Sequence, residues 1–194
     1  MSLLETFRKI IIANELGGDL TEALKFSDPD GVGSGKSGWS FGVCQFDLRN
    51  NSRAASCLRE CGFTPGEIDG LINQTVDVRP FEPRLQAAAD IVSRYDGLQL
   101  KACIERAHYL LDRFTITPAD NAALLAVADY DNQFGLSAIT GPKYLLGYLK
   151  DAPQPFTAED VLTFKLIGTK FGRENPADCK RRFANIIKIA HDGS

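Results

Sequence analysis

The 194-residue sequence holds one Trp, one Met and two His, and its cysteines number five. An odd cysteine count excludes a complete set of disulfides within one chain. No CxxC pair occurs, and His108 and His191 stand at no ligand spacing from Cys57 and Cys61. No metal site is therefore expected, and no cofactor. No apolar run approaches the roughly 18 residues that a membrane span needs, so no membrane insertion is expected. The formal net charge is −3, which lacks the concentrated basic face of a nucleic-acid partner. Glu5, Arg8 and Lys9 interrupt the apolar N-terminal segment, and no small-residue cleavage site follows it. That segment reads as an amphipathic helix, not a signal peptide. Free thiols point to folding in a reducing cytoplasm.

What remains is an ordinary globular composition, 44% hydrophobic and 24% charged, enough for one good core. Leu3, Leu4, Phe7, Ile10 and Ile11 repeat at helical spacing, and Gly17 and Gly18 close that helix. "SDPDGVGSGKSG" at 27–38 is too rich in Gly and Pro for a helix. Short strands at about 22–27 and 39–46 would flank it as an irregular hairpin. From about 51 onward the pattern is helical, with segments near 51–61, 65–73, 81–95, 98–113, 118–133, 141–149, 157–167 and 176–190. Thr64 and Thr157 stand where helix caps are expected, and Pro118 and Pro176 where first helical turns are. The fold class is α+β, mainly α, in a single domain over 1–194. Its small β element spans about 22–47 and its helical body about 51–191.

Several side chains in this frame can do chemistry. Glu15 ends the first helix, where the carbonyl end of the dipole disfavours negative charge. An acid held protonated is what a glycosidase uses to protonate a leaving oxygen. Asp28, Asp30 and Asp47 lie in or beside the hairpin, with Ser40 and Gln45 as short polar groups. A second carboxylate, Asp28 or Asp30, would stand roughly 5–10 Å from the acid. Asp-Pro-Asp-Gly is equally good turn chemistry. A calcium loop starting at Asp28 is excluded because Trp39 stands where its twelfth-position acid belongs. Trp39, Phe41, Val43 and Phe46 read first as core. Arg173, Lys180, Arg181 and Arg182 form a basic cluster that reads first as a solvated helix face beside Glu174 and Asp178, and otherwise as a polyanion site.

"ANELGG" followed by "SDPDGVGSGKSGWSFGVCQFD" resembles the active-site entry of the lysozyme superfamily, phage-type N-acetylmuramidases above all. "GVCQF" is similar to the "GLMQ" segment of lytic transglycosylases and goose-type lysozymes. "AVADYDNQFG" at 126–135 resembles their "AYNxG" helix, and "KFGRENPADCKRRFANI" at 170–186 the Arg-rich closing helix of phage lysozymes. The chain departs from these patterns in lacking Ser after Glu15, in carrying Cys44 at a Met-like position, and throughout 51–115.

The resemblance implies a lysozyme-like fold and a glycoside hydrolase that cleaves the MurNAc-β-1,4-GlcNAc bond of bacterial peptidoglycan. Glu15 would be the general acid, with Asp28 or Asp30 as second carboxylate and Ser40 orienting water. Trp39, Gln45, Asp47, Tyr130 and Asn132 would bind the glycan. The alternatives are a lytic transglycosylase giving 1,6-anhydro products and a non-catalytic glycan-binding module. The chain is expected to act as a monomer, made in the cytoplasm and reaching the envelope through a holin pore or a secretion machine.

Overall fold

A computed structural model describes residues 1–28, 31 and 36–192. Among the described residues, ten α-helices, one 3-10 turn and one two-stranded antiparallel sheet form the regular structure. No helix among the described residues is long and apolar enough to cross a membrane. The chain divides into two compact units, Met1–Asn14 with Leu100–Ser194, and Glu15–Gln99.

The first unit begins with α1 (Leu3–Glu15), all of it but Glu15, started by reciprocal hydrogen bonds between Ser2 and Glu5. Phe7, Ile10, Ile11 and Asn14 form its buried stripe, while Leu4 is exposed. The long α5 (Ala89–Phe114) enters this unit at Leu100. At its centre lies α6 (Asn121–Phe134), buried continuously from Ala122 to Asp129. Alanine at half of those positions, 122, 123, 126 and 128, lets neighbouring helices approach closely. α8 (Ala158–Gly168) and α10 (Pro176–Asp192) pack against it. α7 (Leu145–Asp151) and the short α9 (Lys170–Glu174) flank α8.

Two boundaries differ from expectation for local reasons. Pro118 does not begin α6, because it bridges to Phe156 and Asp120 caps the helix instead. The break foreseen near 96–97 falls at Ala88, after α4 (Glu82–Ala87), and Gly97 is carried inside α5.

The second unit holds the β element, then α2 (Ser52–Glu60), α3 (Pro65–Ile72) and α4. Thr64 and Glu67 form the capping box read in the sequence. Glu67 also takes both ends of the Arg84 guanidinium, at 2.8 and 3.1 Å. That pairing, followed by the Thr64 backbone N–H, lowers the Glu67 carboxyl to about 2. Phe26, Phe41, Phe46, Phe63 and Phe81 make a chain of ring contacts 5.7–6.3 Å apart.

The β element is smaller than the sequence suggests. Residues 20–24 form a 3-10 turn, and Ser27 meets Ser40 at one bridge. The segment expected as a single strand folds on itself, pairing β1 (Ser40–Phe41) with β2 (Phe46–Asp47). Positive φ at Gly42 (80°) and Gln45 (50°) permits that tight reversal.

Candidate active site

Glu15 is the last residue of α1 and is half-buried. Gly17, at φ 60°, turns the chain out of the helix. Asp19 then caps the 3-10 turn by accepting from the Thr21 N–H at 2.9 Å. Within the same unit lie Asp28 and Trp39, both half-buried. Asp30 lies outside the described residues.

The hairpin's own polar groups hold its shape. Gln45 accepts from the Ser27 hydroxyl at 2.5 Å and donates to the Gly42 carbonyl at 3.1 Å. Asp47 accepts from the backbone N–H groups of Gly38 and Arg49 at 2.9 and 2.8 Å, and from the Asn50 amide. Ser40 is 2% exposed, beneath the sheet surface. These three residues, read from sequence as water- or sugar-facing, are tied into the loop that carries Trp39. Trp39 is half-buried, and its indole Nε1 is enclosed.

A residue that sequence reasoning passed over anchors this loop. Asp96, on α5 and 1% exposed, accepts from the Val43 and Cys44 N–H groups, each at 3.0 Å. A Cβ at Gly42 would come within 2.9 Å of the Asp96 carboxylate and 3.0 Å of the Phe46 ring. The positive φ adds strain to that crowding. Gly42→Ala is therefore expected to destabilise the protein by about 1–3 kcal/mol, read from the midpoint of urea unfolding. An unchanged midpoint would mean that the loop relaxes freely.

Tyr130 and Asn132 belong to the first unit, on α6. The Tyr130 ring lies 5.1 Å from Phe134 and 5.9 Å from Phe164, and burial raises the pKa of its hydroxyl. The same unit contains a charged cluster that the composition did not announce. Asp129 is 1% exposed and meets Arg182 at 2.6 Å and Lys165 at 3.5 Å. Lys165 also donates to Gln133 at 2.7 Å. The expected solvated face, which spans α9 and α10, is thus divided. Arg182 is buried, Arg181 pairs with Asp178 at 2.6 Å, and Arg173 and Lys180 are exposed.

A cavity of about 10 Å³, room for at most a single water, adjoins Asp129 and Lys165. Ligand pockets usually exceed roughly 300 Å³, so these charges read as scaffold and not as a binding site. All five cysteines are buried thiols. Among the described residues, no three His, Cys, Asp or Glu side chains converge as metal ligands. Comparison with protein-family models, with curated proteins and with solved structures finds no match.

Proposed function

We propose that the chain is a peptidoglycan-cleaving glycosidase, a muramidase in which Glu15 protonates the oxygen leaving the MurNAc C1. The observation that carries this reading is the make-up of the second unit. A half-buried carboxyl ending a helix shares one compact body with Asp28 and with a braced loop carrying a half-buried Trp39. Acid, second carboxylate and aromatic platform are the parts that glycoside cleavage uses. Ser40, Gln45 and Asp47 serve as framework in this account, and Trp39 is the hairpin's sugar-facing side chain. The substrate is a wall polymer, so the protein works where peptidoglycan is exposed to it.

Asp28 decides the chemistry of the second step. As a base it would activate water and leave a reducing muramic end. Without it, the sugar's own 6-hydroxyl closes onto C1 and leaves a 1,6-anhydro end. Mass spectrometry of digested sacculi is expected to find reducing ends from the wild type. Asp28→Asn is expected to lose about 10²-fold or more in rate. Anhydro ends from the wild type would assign a transglycosylase, and binding to sacculi without cleavage would leave a glycan-binding module.

A further inference from the structure

A helix ends with four backbone carbonyls that have no partner inside it. At the end of α1, two of these are taken by one side chain. Arg181 donates to the carbonyls of Ala13 at 3.2 Å and Asn14 at 3.0 Å. Asp178, one turn earlier on α10, aims that guanidinium through bonds of 2.6 and 3.1 Å. The negative end of the α1 dipole therefore faces a cation, which offsets the charge effect expected there from the sequence.

Asn14 is held by its side chain as well. Its amide Nδ2 donates to Asp129 Oδ1 at 3.0 Å, and its Oδ1 accepts from Asn185 Nδ2 at 3.0 Å. A carboxylate only accepts, so the Asp129 bond fixes which way the amide points. Asp129 is in turn gripped by Arg182 at 2.6 and 3.3 Å. One residue, 4% exposed, thus has its carbonyl, amide oxygen and amide nitrogen bound by three side chains from α6 and α10. A leucine at this position would continue the apolar stripe of Phe7, Ile10 and Ile11 without any polar desolvation. What the polar arrangement adds is direction, because hydrogen bonds fix orientation where apolar contact does not.

The next residue in the chain is Glu15. We infer that Asn14, Arg181 and Asn185 are positioning residues for the Glu15 carboxyl, an inference that rests on the general-acid role proposed above. They fix the backbone from which that side chain projects. A general acid works only within hydrogen-bond reach of the atom it protonates, and a displacement of about 1 Å can cost about 10²-fold in rate.

The test uses Arg181→Ala and Asn185→Ala, whose side chains are not core, with Arg181→Lys as the conservative variant and Glu15→Gln as the reference. Turnover of soluble peptidoglycan fragments is measured and corrected for the folded fraction. Each alanine variant is expected to lose about 10-fold in kcat, with KM within about twofold of the wild type. Lysine, a single-point donor, is expected to recover part of that loss. Wild-type kcat in both alanine variants, beside an inactive Glu15→Gln, overturns the positioning role and leaves the acid in place. A kcat loss fully accounted for by unfolding overturns it too. An active Glu15→Gln removes the acid and the positioning role together.

Discussion

Glu15→Gln is expected to lower the rate of peptidoglycan cleavage by about a thousandfold, within the 10²–10⁴ range of acid–base groups. That factor corresponds to about 4 kcal/mol of lost transition-state stabilisation. The amide keeps the size of the acid but has no proton of suitable acidity to give the leaving oxygen. Glu15 sits half-buried at a helix end, so the exchange should change folding stability by less than about 1 kcal/mol. Initial rates of fragment release, set beside thermal unfolding followed by circular dichroism, separate the two effects. A large fall in melting temperature would make the lost activity uninformative. An unchanged rate would remove Glu15 from the chemistry.

Asp129→Ala is expected to have the largest effect on stability, a loss of about 3–5 kcal/mol, because it leaves the Arg182 and Lys165 charges buried without their anion. Burial alone would raise the Asp129 carboxyl, but Arg182 and then Lys165 reverse this and hold it below its ordinary value of 3.8. Burial pushes the Lys165 amine down, Asp129 opposes that, and the neighbouring Arg182 charge adds to it. One carboxylate facing two cations satisfies the closer, bidentate arginine first.

The sign of the pH dependence follows from the depressed carboxyl. Its contribution is fully present above the ordinary carboxyl range and is lost as pH falls through the lower folded value. Resistance of the wild type to urea should therefore weaken on acidification below about pH 4, and Asp129→Ala should lack that component. The double variant Asp129→Leu with Arg182→Met is expected to be more stable than Asp129→Ala, since it removes the second charge together with the first. Equal stability of wild type and Asp129→Ala would show that water reaches the cluster.

The helical body was legible because its signals are local. Thr64 and Thr157 cap where they were expected, and Pro176 opens α10. The β element was less legible, because the backbone conformation of two residues decides it. Gly42 and Gln45 at positive φ turn the apparent strand at 39–46 into a hairpin, and hydrophobic alternation carries no trace of that. Gln45 looked like a spare polar group, yet its amide is spent on Ser27 and Gly42, partners set by the fold and not by spacing.

The charged cluster did leave a signal. Asn14 completes the 7, 10, 11, 14 stripe of α1, Lys165 follows Val161 and Phe164, and Arg182 lies between Cys179 and Ile186. A polar side chain at a core position on each of several helices predicts mutual contact, since each must find a buried partner. Arg182 follows the exposed Lys180 and Arg181 in the sequence, and only its helical phase with Cys179 and Ile186 sets it apart from them.

Purified sacculi treated with the wild-type protein and with Glu15→Gln, across acidic to mildly alkaline pH, put the central claim to its most direct test. Mass spectrometry of the released material should find new muramic ends with the wild type and essentially none with the variant. Sacculi left intact by the folded wild type at every pH, or equal release by both proteins, would contradict the assignment of Glu15 as the acid of a muramidase.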